Sequence, residues 1–375
     1  MIPVRRAHLR VAAGSDAGRT GKNNEDQFAI SAFQLGPANA TPVLFAVLAD
    51  GIGGHRAGEV ASHLAVEMIS DAVAQSDGSQ PGAIMEAAIL RANQAILAHA
   101  EGDDEKKGMG TTIISAWIIG DKLYTASVGN SRLYLLREDG LQQINWDHTW
   151  VQEAVDAGAL TPELARSHPN ANIIRRYLGS RRPVEVDFRL RVKPGENEKQ
   201  EIANQGFPLL PGDRLLLCSD GLNDMVEDAD IRELAWLPDL VKARQALIDK
   251  ANDAGGKDNI TVVLLEVPGR TKKKQREARS KLLAAAIRAL AIVGLVALLL
   301  WALGQYALPL LRPDPTAMPT ATIAPSATSQ PAATPTPQAG LIARPTNTPQ
   351  SAPVTITSVP FGASAVDTET PSATP

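Results

Sequence analysis

The most constraining stretch of this chain is Val47-Leu48-Ala49-Asp50-Gly51-Ile52-Gly53-Gly54-His55. An apolar, β-rich run over 43–49 stops at an aspartate, and glycines then turn the chain into a segment of helical spacing. A carboxylate at the end of a buried strand is fixed by the sheet behind it and projects into a cleft. Gly51 carries no side chain, so its backbone carbonyl can approach whatever Asp50 binds.

The pattern recurs along the chain. Further apolar, β-rich runs lie at 111–119, 122–128, 132–136, 214–218 and 260–267. Between them, 57–73 carries Val60, Leu64, Met68 and Ala72 four residues apart, and 84–98 and 231–251 have similar helical spacing. The long stretch from Gly108 to Leu136 contains no helix, which predicts antiparallel strands. The mixture therefore points to α+β layers rather than to an alternating parallel sheet. These segments place one globular domain over 1–268.

Beyond that domain the character changes twice. Residues 269–288 form a basic linker with Arg270, Lys272, Lys273, Lys274, Arg276, Arg279, Lys281 and Arg288. Residues 289–311 follow, apolar except for Gln305. About 20 apolar residues suffice for a helix to cross a bilayer, so this run is predicted to be a transmembrane helix. The basic excess precedes it, which predicts a single-pass protein of the cell membrane with the N-terminal domain in the cytoplasm. Residues 312–375 hold 13 of the chain's 26 prolines, amid Thr, Ser and Ala. Such a composition cannot bury a core and predicts a disordered tail outside the cell.

Four acidic clusters carry the chemistry. Asn23-Asn24-Glu25-Asp26 offers two adjacent carboxylates, and Asp50 ends its strand. Leu215-Leu216-Leu217-Cys218-Ser219-Asp220-Gly221 repeats the strand-to-Asp-Gly pattern, and Lys257-Asp258-Asn259 precedes the last strand. Gathering carboxylates without cations is costly, because like charges raise one another's pKa. Oxygen-only donors select hard ions such as manganese or magnesium. With Cys218 as the single cysteine, an internal disulfide is excluded and a thiolate zinc site disfavoured. A net charge of −4 argues against nucleic acid as a partner.

The ordered set Glu25-Asp26, Asp50-Gly51-Ile-Gly-Gly-His55, Gly108-Met-Gly-Thr-Thr112, Val128-Gly-Asn-Ser-Arg132, Asp147-His148, Asp220-Gly221 and Asp258-Asn259 resembles the type 2C metal-dependent protein phosphatases in their bacterial form. The resemblance spans roughly residues 7–267. It implies a central antiparallel β-sandwich flanked by helices in four αββα layers, with a centre of two firmly bound Mn2+ or Mg2+ ions at one end. By position, Asp50 would bridge both ions, and Asp220 and Asp258 would complete the ligands of the first. The Gly51 carbonyl would hold the second, with Glu25 and Asp26 nearby supporting metal-bound water. His55 falls where the family places a general acid, and 149–180, with His168-Pro169, matches a mobile flap. The implied activity is hydrolysis of phosphoserine and phosphothreonine in proteins. Two metals about 4 Å apart can activate water for in-line attack at phosphorus. A serine/threonine kinase and its substrates are the expected partners.

Two positions depart from the family pattern. The arginine expected four residues before Glu25 is Gly21, which leaves Arg19 or Lys22 to grip the substrate phosphate. If this segment is extended, Arg19 shares the face of Gly21 and Lys22 points away. The aspartate of the Val-Gly-Asp-Ser-Arg motif is Asn130, so a third metal site using Asp220 is expected to be weaker, with Asp224 as a compensating ligand. These departures keep open a catalytically impaired, phosphate-sensing scaffold of the same fold. A dinucleotide-binding reading of Gly51-Ile52-Gly53-Gly54 fails, because Asp50 would face the pyrophosphate and Arg56 stands at the third glycine position.

Overall fold

The computed structural model describes residues 1–53, 57–103, 106–137, 140–166 and 168–269. In chain order the strands are β1 (Ile2–Pro3), β2 (Arg10–Asp16), β3 (Gln27–Gly36), β4 (Asn39–Ala49), β5 (Gly51–Ile52), β6 (Gly110–Thr111), β7 (Ile113–Ile119), β8 (Lys122–Val128), β9 (Arg132–Arg137), β10 (Gly140–Gln143), β11 (Phe207–Pro208), β12 (Arg214–Cys218) and β13 (Ile260–Glu266). The helices are α1 (Ala57–Gln75), α2 (Pro81–Glu101), α3 (Trp150–Asp156), α4 (Pro162–Arg166), α5 (Glu198–Ala203), α6 (Asp220–Asn223), α7 (Asp228–Ala235) and α8 (Leu240–Asp253).

Two antiparallel sheets dominate. One has the order β1-β3-β4-β7-β8-β11 and the other β10-β9-β12-β13-β2. The two-residue strands β5 and β6 pair separately, Gly51 opposite Thr111. Alternation along β4 explains the layers. Val43, Phe45, Val47 and Ala49 pack with Ile69, Met85, Ile89 and Ile96 of α1 and α2. Leu44, Ala46 and Leu48 point the other way, into a core shared with Leu216, Leu217, Val262 and Leu264 of the second sheet. Both faces of β4 are therefore buried, which is why it reads as an unbroken apolar run. Ile231, Ala235, Leu247 and Ile248 of α7 and α8 join the second sheet's core and form the outer layer on that side. Trp117 on β7 is wholly buried and meets Phe45 edge-on, with ring centroids 5.9 Å apart at 77°.

The helical segment expected over 231–251 is two helices. Trp236 ends α7, Pro238 follows, and the Asp239 carboxylate caps α8 by accepting from the N–H groups of Val241 and Lys242. A proline disfavours helical backbone in the residue before it, and an aspartate cap starts the next helix. The antiparallel order also removes the dinucleotide-binding reading, since β4 has β3 and β7 as antiparallel neighbours. Among the described residues no helix is long and apolar enough to cross a membrane. The predicted transmembrane run 289–311, the linker from 270 and the tail 312–375 lie outside the described residues.

Candidate metal and phosphate site

Asp50 leaves the end of β4 and is held by its own backbone. Its N–H donates to Thr112 Oγ1 at 3.0 Å. Its carbonyl accepts from the Thr112 N–H and the Thr111 hydroxyl, both at 2.8 Å. Thr112 Oγ1 lies 2.7 Å from Ser131 Oγ, so the turn that carries Asn130 is tied to the turn that carries Asp50. A β-carbon on Gly51 would come within 2.5 Å of the Gly58 carbonyl and 2.6 Å of the Glu25 carbonyl. Glycine is required there because α1, β5 and the Glu25 segment converge on it.

The facing sheet supplies Asp220 and Asp258, while Asp26 immediately precedes β3, the neighbour of β4. β12 ends at Cys218, Ser219 precedes α6, and Asp220 is the first residue of that helix. The Asn130 amide donates to Asp220 Oδ2 at 2.9 Å. Asp26 is 3% exposed and accepts from the Ser219 hydroxyl at 2.7 Å. Asp258 is exposed just before β13, and the Lys22 ammonium reaches both of its oxygens. Asn259 binds the acidic N-terminal segment to this strand. Its amide donates to the carbonyls of Ala17 and Asn23, and its oxygen accepts from the Glu25 N–H at 2.7 Å.

Electrostatics mark these groups as one site. Loss of hydration pushes the Asp50 carboxyl well above the usual carboxylate range, and the charges of Asp220, Asp26 and Asp258 push it further. Asp220 rises to about 7, first through burial and then through Asp224, while the Asn130 amide opposes the shift. Asp26 rises to about 6 through burial, opposed by the hydroxyls of Thr261 and Ser219. Burial is the larger cause for each group, and the further push from neighbouring carboxylates reflects their gathering in one cleft.

Among the described residues no three acidic, histidine or cysteine side chains already form a closed metal cage. Asn130, Lys22 and Ser219 instead engage oxygens of Asp220, Asp258 and Asp26. The donor set nonetheless fits a hard divalent cation. It consists of oxygens, its carboxylates repel one another, and Asp26 Oδ1 and Asn130 Oδ1 are buried without a hydrogen-bond partner.

The family model for protein phosphatase 2C matches residues 13–253. The chain belongs to the protein phosphatase 2C family. It is 40% identical over 263 residues to the serine/threonine protein phosphatase PstP of Mycobacterium tuberculosis, covering 69% of this chain and 45% of that one. It therefore spans about half the length of that relative. It is 37% identical to the serine/threonine phosphatase stp of Listeria innocua, covering 67% of this chain and 93% of that one. The solved catalytic domain of PstP in complex with two manganese ions is 37% identical, with a TM-score of 0.56, and the match covers 69% of this chain and 97% of that one.

Within this protein phosphatase 2C domain the flap segment is anchored at both ends. Thr149 pairs with Ile174, and Leu178 pairs with Thr111 beside the Asp50 turn. Asn172 donates to Asp224 Oδ2 at 2.9 Å, which sets the flap against the loop after α6. Trp150 stacks on His168 with centroids 4.9 Å apart. Gly18 and Gly21 have φ of +76° and +72°, so the segment before Glu25 is not extended and strand alternation does not apply to it. As a result Lys22 points toward the carboxylates. Arg19 is exposed, with its N–H bonded to the Gly256 carbonyl. Only His55, among the predicted site residues, lies outside the described residues.

Sequence reasoning missed the support behind Asn130. His148 Nδ1 accepts from the Gly129 N–H at 2.9 Å, so its Nε2 carries the proton donated to Asp187 at 3.0 Å. Burial raises the Asp187 carboxyl, but the bonds from His148 and Arg189 outweigh it and hold the group below the usual carboxylate range. Asp187 lies in the alternating run Val184-Glu185-Val186-Asp187-Phe188-Arg189-Leu190, a strand-like signal that sequence reasoning passed over, and it bridges to Ser127 of β8.

Proposed function

We propose that this chain is a metal-dependent phosphatase of phosphoserine and phosphothreonine proteins, anchored in a membrane with its catalytic domain in the cytoplasm. The observation that carries the activity is the gathering of Asp26, Asp50, Asp220 and Asp258 at one end of the sandwich, where burial and then neighbouring charges raise the carboxyls of Asp26, Asp50 and Asp220. The activity named for the relatives favours turnover over an impaired scaffold.

In this reading Asp50, Asp220 and Asp258 would hold one ion, and Asp50 with the Gly51 carbonyl would hold the other, with Glu25 and Asp26 alongside. Asn130 and Asp224 would form a weaker third position beside Asp220. When bound, Mn2+ or Mg2+ supply the charge that activates water and offsets the charge growing on the phosphoryl oxygens. His55 protonates the departing serine or threonine oxygen. Lys22 neutralises the phosphate, with Arg19 as the second candidate cation. Thr112 and Ser131 hold the Asp50 turn in place, so that its carboxylate does not have to reorganise.

Manganese-dependent release of phosphate from phosphothreonine peptides by the full-length chain tests the activity. No release at saturating manganese overturns it. The membrane reading rests on the basic run 270–288 before 289–311 and on the positive-inside rule. Protease added to intact cells should remove a C-terminal tag and spare the phosphatase domain, and the reverse pattern overturns the orientation. The partner class implied by this chemistry is a serine/threonine kinase with its phosphorylated targets.

A further inference from the structure

The carboxylate site opens into a cleft of about 630 Å³ that runs past Asp147 and Trp146 to Arg191. The arginines around this cleft differ in what they already hold. Arg132 grips Asp147 at 2.7–3.2 Å. Arg166 donates to the carbonyls of Asn223 and Val226 and pairs with Glu227 at 3.3 Å. Arg189 is bonded to both oxygens of Asp187. Arg191 alone among these has no carboxylate within ion-pair distance in the described residues.

Arg191 is nonetheless fixed. Its guanidinium lies 4.3 Å over the Trp146 ring, and the Trp146 indole N–H donates to Glu201 at 2.8 Å. Its own N–H donates to the Ile144 carbonyl, and its carbonyl accepts from the Gln142 amide. A half-buried guanidinium with no direct ion pair is unfavourable, and the longer-range charges of Glu201 and Asp147 and the contact with the indole compensate only in part. What remains is a planar, oriented fork of N–H donors of the kind that binds carboxylate or phosphate.

We propose that Arg191, held against the face of Trp146, is a recognition site for an anionic group on the substrate polypeptide, flanking the residue that is dephosphorylated. The assignment rests on the phosphatase reading above. The ligand is a carboxylate or a second phosphate, and both present the same oxygen edge to the guanidinium. Lys22 remains the cation for the phosphate being removed. Arg191 contributes affinity and selectivity and takes no part in the chemical step.

The test compares the full-length parent, Arg191→Ala and Arg191→Lys. Each is assayed on phosphothreonine peptides flanked by alanine, by aspartate and glutamate, or by a second phosphoserine, and on a small aryl phosphate. Removing one member of a charge pair at a binding surface costs on the order of 10-fold or more. Arg191→Ala is expected to raise KM about that much for the anionic peptides while leaving kcat, the alanine-flanked peptide and the aryl phosphate within about twofold. Arg191→Lys should recover part of the loss, and the two anionic peptides identify which group is preferred. Equal loss on all substrates, or loss on the aryl phosphate, overturns the proposal in favour of a structural or phosphoryl-gripping role. Fluorescence anisotropy with the unphosphorylated acidic peptide gives a readout independent of turnover, and equal binding by parent and Arg191→Ala also overturns it. If the parent hydrolyses no phosphoester, the phosphatase reading fails while anisotropy still reports on Arg191.

Discussion

The Lys22 ammonium lies 3.1 and 3.2 Å from the two carboxylate oxygens of Asp258. The cation that could replace the family's phosphate-binding arginine thus rests on a proposed metal ligand. Both side chains are about half exposed, at 55% and 51%, so the pair itself adds little stability. Its consequence is competition, because a divalent ion at Asp258 must displace Lys22, which then faces the phosphate. Lys22→Ala is expected to tighten manganese binding by roughly 2- to 5-fold, as befits an exposed pair, and to raise KM for phosphopeptides. Calorimetric titration with manganese measures the first effect. Weaker binding in the variant would remove Lys22 from the metal site. Gly21→Arg is a poorer test of phosphate grip, because φ at Gly21 is +72° and a side chain there costs roughly 1–2 kcal/mol.

Asp50 should trade stability for function. Its carboxyl is raised by burial and by three neighbouring acids, so ionising it in the metal-free protein is unfavourable. Asp50→Asn keeps the shape and removes a charge. We expect manganese-dependent turnover to fall to background while the metal-free protein melts a few degrees higher at pH 7.5, since roughly 1 kcal/mol corresponds to about 2–4 °C at this size. Unchanged activity would sink the role assigned to Asp50. A lower Tm without metal would mean that its carboxylate is stabilising in the fold.

The same elevation sets a pH dependence. Asp26 at about 6 and Asp220 at about 7 bind protons more tightly in the folded protein than at the ordinary value of 3.8. The folded state therefore holds more protons between about pH 4 and pH 7, and stability falls as pH rises through that window. His8 works in the opposite direction, because burial lowers its pKa. The informative quantity is thus the difference between parent and Asp220→Asn. Without metal, the parent's Tm should drop relative to the variant's from pH 5 to pH 8. Manganese should restore the parent more strongly at pH 8, where protons no longer compete for the carboxylates. Parallel Tm curves for the two proteins would remove Asp220 as the titrating group.

The strands that position the site were legible wherever both faces are buried. β4, β8 and β12 announce themselves as apolar runs, and the acids at 50 and 220 stand out against them. β2 and β3 were not legible, because most of their residues are only partly buried and their Ala, Ser and Gly show little contrast in hydropathy. Lys22 could be named a candidate, but its direction depends on two left-handed glycines that the residue pattern does not specify. Arg191 and Asp187 lie in 184–192, where apolar and polar residues alternate, so an extended segment was readable there, but the partners of its polar side chains are set by contacts distant in sequence.

Asn130 offers the last test, since its amide donates to Asp220 Oδ2 at 2.9 Å while its own oxygen is buried and has no hydrogen-bond partner among the described residues. The amide does two things that an aspartate cannot do without metal: it satisfies Asp220, and it adds no charge to a cleft already crowded with carboxylates. Asn130→Asp removes that bond and places a further acid against Asp220, so the metal-free variant should be less stable at pH 7.5 by roughly 1–3 kcal/mol. Divalent ions should reverse the penalty, because hard cations respond to the number of charged oxygens around them. We expect manganese titration of the variant to show one additional site of higher affinity, and half-maximal activity at a lower manganese concentration. His148 and Asp187, which hold Gly129 in place, should keep the turn intact in the variant. Identical manganese stoichiometry and affinity in both forms would confine Asn130 to hydrogen bonding and remove it from metal binding.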